Sequence, residues 1–345
     1  MKWHQIVVHP RRVLAALCAS MFLLSPISAE QRLIEATGTY TIGDGLDENI
    51  SVAKDRAKAD AMRNASEQAS VYVESLSVVQ DGMLTKDEIK VISANVMQIQ
   101  GNPKFKAIPV SDDVIRYECQ VSVLVDTDNI NAAMVQDKAA LADAVERNKE
   151  LTVEVERLNR EMEQLKKQYA NASTDRERQQ IRQEVKQNDE RFVAAGLNEQ
   201  GASLFGQGRY AEAIECFTKA IEKNPHFAFA YHNRGSAYGK MKNYTQAVAD
   251  FSQAIAIDAN YATAYSGRGF AYYGLGDYER AAADFSKAVS INPNYAEAYY
   301  GRGNVYMTLG HYEEAVRDYE KALSLNPNLD AARQNIEMIR NAMKG

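Results

Sequence analysis

From residue 194 to residue 329 the chain repeats itself every 34 residues, four times, without a gap. A large residue recurs at Leu197, Tyr231, Tyr265 and Tyr299, and a glycine at Gly201, Gly235, Gly269 and Gly303. Alanine returns at Ala213, Ala247, Ala281 and Ala315, followed by an aromatic at Phe217, Phe251, Phe285 and Tyr319. A second alanine occupies Ala220, Ala254, Ala288 and Ala322, and Pro225, Pro293 and Pro327 close three of the units, with Ala259 in the remaining one. Each unit carries two helical apolar patterns, and its terminal proline stops the second helix. One such unit cannot bury its own apolar face, so the units must stack into an open array with a concave side.

These slots resemble the tetratricopeptide repeat (TPR) family at every signature position but the first, where the family often has tryptophan. The resemblance implies an all-α TPR solenoid that binds proteins or peptides. It also implies a groove lined by the second, fifth, ninth, twelfth and thirteenth positions of each unit's first helix. Those positions hold Asn198 and Phe205, then Phe229, His232, Ser236 and Lys240, then Ser266, Phe270 and Tyr273, then Tyr300, Asn304 and Met307. Phe229, His232, Phe270, Tyr273, Tyr300 and Asn304 are the expected partner-binding residues, suited to an extended peptide or a partner helix. Some of these aromatics are expected to pack against neighbouring units instead. The lysine–asparagine clamp with which chaperone-tail binders of the family hold a terminal carboxylate is missing. Arg234 and Asp250, Arg268 and Asp284, and Arg302 and Asp318 are each sixteen residues apart, which predicts ion pairs between the two helices of a unit. Residues 330–345 read as a capping helix with Ile336 and Ile339 facing back.

At the other end, Lys2, Arg11 and Arg12 precede an apolar run from Val13 to Leu24, and Ile27-Ser28-Ala29 supplies small residues. Residues 1–29 therefore read as a signal peptide cut after Ala29, which places the chain in the periplasm or cell envelope, or outside the cell. The mature chain would keep 37 of its 40 basic residues against 46 acidic ones, a net charge of −9. That balance argues against nucleic acid, and no membrane span is expected in the mature chain. Cys119 and Cys216 are expected to be separate buried thiols.

Residues 30–128 read as a small α+β domain. Residues 36–42 alternate as a strand, and a helix from Glu48 to about Ser70 carries Ala53, Ala57, Ala61 and Ala65 along one side. A strand is expected at 71–79, a second helix after Thr85 with Glu88 at capping-box spacing, and strands near 96–108 and 114–125. Residues 59–65, 71–75 and 80–84 resemble the N-terminal domain of the flagellar assembly protein T family and of related small envelope lipoproteins. That resemblance implies an envelope-associated structural module without catalytic residues.

Residues 129–192 form a charged helical spacer. Leu141, Asn148, Val155, Met162 and Tyr169 fall seven apart, interleaved with Ala144, Leu151, Leu158 and Leu165. This is a coiled-coil seam that predicts a homodimer through residues 137–169, with Glu161 and Lys166 spaced for an interhelical pair. A hairpin with the following helix is the competing arrangement, since residues 171–175 interrupt the pattern and Thr174 with Glu177 forms a capping box.

No catalytic constellation emerges: His226, His232 and His311 are widely spaced, and neither a phosphate loop nor a nucleophile elbow is present. The chain is expected to be a non-enzymatic scaffold without cofactor or metal. It has five parts, divided as 1–29, 30–128, 129–192, 193–329 and 330–345. The alternative is a structural subunit of an envelope assembly, docked through residues 30–128.

Overall fold

The structure, a computed structural model, describes residues 31–43, 49–79, 84–111, 114–126 and 138–343. The signal segment lies outside these residues, as does the turn expected at Asp81-Gly82.

The N-terminal module is a four-stranded antiparallel sheet with helices against one face. Strand β4 (Val114–Asp126) is its axis. β1 (Gln31–Gly43) runs along one side, in register from Gln31 opposite Asp126 to Gly43 opposite Val114. The other side is shared by β2 (Met97–Ile99) and β3 (Lys104–Ser111). The alternation on β4 is strict, since Tyr117, Cys119, Val121, Val123 and Val125 are buried. Against them lies α1 (Ile50–Val79), whose Ala53, Ala57, Ala61, Ala65 and Ala69 are completely or almost completely buried. The predicted alanine ridge thus allows close contact. A Cβ on Gly38 of β1 would stand 2.0 Å from the Ala61 nitrogen and 2.4 Å from the Ala57 carbonyl oxygen.

Residues 71–79, predicted as a strand, instead continue α1. The four-residue spacing of buried small residues runs on to Val73, and burying that stripe outweighs the local β preference of the valines. α2 (Lys86–Val96) begins with the expected capping box between Thr85 and Glu88. Gly101, with φ of 70°, lies in the break between β2 and β3 where one strand was expected.

The spacer is a hairpin of two long helices, α3 (Lys138–Asn171) and α4 (Asp175–Gly206), with Thr174 and Glu177 capping the second. Met162, Leu165 and Tyr169, three of the nine predicted seam residues, are buried with Ile181 and Val185 of α4. Leu158 is buried with Phe192 and with Val52 of α1. Glu161 is paired with Arg191 of α4, not with Lys166 of a second chain; Lys166 donates to the Thr41 carbonyl at 2.8 Å. The described part of the seam is therefore satisfied inside one chain, because a short turn at residues 172–174 brings α4 alongside it. The side chains of Leu141, Ala144, Asn148 and Leu151 lie outside the described residues.

Helix α4 does not end at the expected boundary of 192. It continues through Gly206 and becomes the first helix of the array. The array goes on through α5 (Tyr210–Lys223), α6 (Ala228–Lys240), α7 (Tyr244–Ile257), α8 (Ala262–Gly274), α9 (Tyr278–Ile291), α10 (Ala296–Thr308) and α11 (Tyr312–Leu325), ending in α12 (Asp330–Ala342). In every unit the repeating aromatic is the core. The rings of Phe217, Phe251, Phe285 and Tyr319 are buried against the repeating glycines of their own units. Phe251 and Phe285 also press on Gly267 and Gly301 of the next unit.

The turn without proline, at Ala259, keeps the same geometry as the others. Asp258 accepts from the Asn260 N–H, as Asn224, Asn292 and Asn326 accept from the residues two ahead. An Asx side chain, not the proline, is therefore the element common to all four turns.

Candidate functional site

The three arginine–aspartate pairs form as expected and do more than staple one unit. Arg234 Nε and Nη2 each donate to Asp250 at 2.8 Å, while Nη1 donates to Thr218 Oγ1 of the preceding unit at 3.0 Å. Arg268 repeats this with Asp284 and Ser252, and Arg302 with Asp318 and Ser286. A planar guanidinium with donors on several edges suits this three-helix junction, which a lysine cannot reproduce. The side-chain hydrogen bond to the aspartate holds each of these arginines above its ordinary pKa. The pairs hold the units at a fixed pitch and take the arginines away from any ligand. Unit one, with Gln200 and Cys216 in these slots, has no such pair.

The opposite side of the first helices carries the positions that the family resemblance assigns to the groove. Successive first helices touch one another there: α4 meets α6, α6 meets α8, and α8 meets α10. The Tyr273 hydroxyl lies 3.0 Å from Thr308 Oγ1 across the last of these contacts.

The six predicted residues divide between surface and packing. His232 is 5% exposed, its ring 5.4 Å from Phe251 and 5.2 Å from Tyr261, so it is packed within its own unit, against the second helix and the residue that leads into α8. Asn198 and Ser266, in the same slot, are also buried. The fifth position is thus buried in units one to three. Phe229 is half-buried, edge-on to Phe227 and Tyr261. Tyr300 is half-buried and leans on Tyr319.

Phe270, Tyr273 and Asn304 remain as candidate groove residues. Phe270 is 38% exposed with one edge on Phe285, and Tyr273 is half-buried against Tyr278. Asn304 Oδ1 accepts from the Tyr319 hydroxyl at 2.7 Å and from Asn335 Nδ2 of α12 at 3.1 Å. Burial raises the pKa of the Tyr319 hydroxyl, with the Asn335 bond opposing, so Tyr319 stays a neutral donor to Asn304. This network explains why the last unit carries tyrosine where the others carry phenylalanine.

The groove positions assigned from the sequence stop at Met307, yet α12 repeats the register of α10 at the same interval of 34. Ala332 matches Ala298, both fully buried, and the buried Ile339 matches Val305. Met338 then falls in the slot of Phe270 and Asn304 and is 60% exposed. The signal that could have found it was present: counting one more period past Leu329 places it.

Among the described residues, no group of three or more His, Cys, Asp or Glu side chains could hold a metal ion. Cys119 and Cys216 are both buried free thiols, raised in pKa by burial, which disfavours the reactive thiolate. No described helix is long and apolar enough to cross a membrane.

Family models described as tetratricopeptide repeat match residues 194–227 and 296–329, and again 216–249. A model described as TPR repeat matches 240–276 and 271–310. RNA polymerase II-associated protein 3 from Rattus norvegicus and Mus musculus is 46% identical over 46 residues, which is 13% of this chain. The match spans 7% of those relatives' length.

Among solved structures, the first TPR of Spaghetti (RPAP3), bound to the HSP90 peptide SRMEEVD, is 34% identical. It covers 35% of this chain and 95% of that one, at a TM-score of 0.34. The first TPR domain of human RPAP3 is 35% identical with the same coverage and TM-score. MamA is 25% identical, covering 45% of this chain and 97% of its own, at a TM-score of 0.37. Four gapless periods, the paired helices and the family models agree: residues 194–329 are a tetratricopeptide repeat array.

Proposed function

We propose that this chain is a non-enzymatic scaffold whose repeat array holds a peptide or helix of a partner protein. The observation that carries the reading is the groove itself. Arg234, Arg268 and Arg302 are tied up between helices, while Phe270, Tyr273 and Met338 keep apolar surface on the first-helix side. Exposed apolar side chains in a concave row, rimmed by polar groups, are what interaction sites look like.

The setting we propose is the cell envelope or periplasm, on the strength of the basic and apolar segment before Ala29. Residues 31–126 would serve there as the anchoring module, in line with their resemblance to the flagellar assembly protein T domain. Self-association is proposed only for the heptads before residue 152, since Leu158, Met162, Leu165 and Tyr169 are buried within the chain.

The test is crosslinking of the tagged full chain in its native host, with cell fractionation. A discrete partner should be captured from the envelope fraction, and Tyr273→Ala should lose it without loss of helical signal. Recovery from the cytoplasm alone removes the envelope setting. An unchanged capture pattern for Tyr273→Ala removes the groove.

A further inference from the structure

We infer that the C-terminal half of the groove takes an uncharged peptide segment with large apolar side chains, and that α12 forms part of its wall. This deepens the peptide-binding reading above and rests on it. Helix α12 continues the row of first helices, with Ile336 in the slot that Arg302 holds in α10. What the register then presents to the groove is a stripe of Phe270, Tyr273, Met307 and Met338, with Phe270 and Met338 exposed and the other two half-buried.

The charge of this face selects its occupant. At the second, fifth, ninth, twelfth and thirteenth positions of α8, α10 and α12, Glu297 is the one side chain of a type charged at neutral pH. An acidic tail or a free terminal carboxylate would lose its water there and find no cation in return. A basic segment would find Glu297 alone, near the Tyr295 hydroxyl at 3.4 Å. An apolar side chain meets no such penalty, and flexible thioethers at Met307 and Met338 adapt to its shape. Asn304, held by Tyr319 and Asn335, supplies a carboxamide already positioned for a peptide backbone.

The test titrates the purified full chain into three labelled peptides, read by fluorescence anisotropy. One is uncharged and rich in Phe and Leu, one is acidic with a free C-terminal carboxylate, and one is lysine-rich and amphipathic. The uncharged peptide should bind at least about tenfold tighter than the others. Its affinity should stay level as salt is raised, because no ion pair is screened. Met338→Asp and Phe270→Asp should each weaken it about tenfold or more. Met338→Leu should retain binding, and circular dichroism confirms that each variant is folded.

Tighter binding of a charged peptide, affinity that falls with salt, or parental affinity in Met338→Asp overturns the inference. If a charged peptide wins and its binding still depends on Tyr273, the groove reading survives and only this inference falls. If none of the three peptides binds, both fall.

Discussion

At Lys242 the backbone takes φ of 60°, a left-handed conformation that a side chain disfavours. The same turn in the other units is made by Gly208, Gly276 and Gly310, with φ of 76–78°. Unit two thus carries a strained turn that glycine would relieve. Lys242→Gly is expected to stabilise the array by about 1 kcal/mol, seen as a higher denaturation midpoint. No gain in midpoint would mean that this turn relaxes without cost. Gly38 is the opposite case, because a Cβ there meets backbone atoms of Ala57 and Ala61 that cannot swing aside. Gly38→Ala should cost roughly 3 kcal/mol or more in the sheet module, as overpacking against fixed backbone does. Urea unfolding followed at the sheet by amide exchange checks this, and a cost below the noise would mean that α1 can shift away from β1.

Among the elements, the starts of α4 and α9 are tied to carboxylates held below their ordinary pKa. Backbone hydrogen bonds from Ser173 and Thr174 hold the Glu177 carboxyl below its ordinary pKa at the start of α4. The bond from Arg280, then the backbone, does the same for Asp277 at the start of α9. A depressed carboxylate stabilises the fold above its unfolded pKa, and that contribution disappears as pH falls through the folded value. Amide exchange at these two helix starts should therefore accelerate as pH drops below about 4, after correction for intrinsic rates. Glu177→Gln should remove that dependence at α4 and leave α9 unchanged. A pH-independent α4 start in the parent protein would refute the assignment.

At the scale of the whole molecule, Arg56 of α1 joins the sheet module to the helical hairpin. It is 3% exposed and donates to Asn159 at 2.7 Å, Asn188 at 2.7 Å and Asp189 at 3.2 Å. Its guanidinium also lies 4.1 Å from the ring centre of Phe192. Burial raises the Asp189 pKa, opposed by Arg56, so removing the arginine leaves a buried carboxylate without its partner. Arg56→Ala should cost roughly 3 kcal/mol at this junction and let the sheet module separate from the hairpin. Small-angle scattering should then give a larger radius of gyration; an unchanged radius would show that Leu158, Val52 and Phe192 suffice to hold the junction.

The repeat slots, the arginine–aspartate spacing, the alanine ridge of α1 and both capping boxes could all be read in the sequence, because each depends on neighbours at a fixed distance along one chain. Fixed periodicity is enough to decide that residues 194–329 stack as helix pairs. Other features depended on what came to lie opposite in three dimensions. The heptad seam of α3 has the same pattern whether its partner is a second chain or α4, and the burial of Met162, Leu165 and Tyr169 against Ile181 and Val185 selects α4. His232 occupies a groove slot by count, yet Phe251 and Tyr261 of its own unit cover it. Residues 71–79 have the local preference of a strand, but the stripe of α1 that reaches Val73 buries more against the sheet as helix. The sequence determined which residues repeat and where helices begin. Only the tertiary structure decided which of those side chains remain open to a partner, because burial belongs to pairs of surfaces and not to either surface alone.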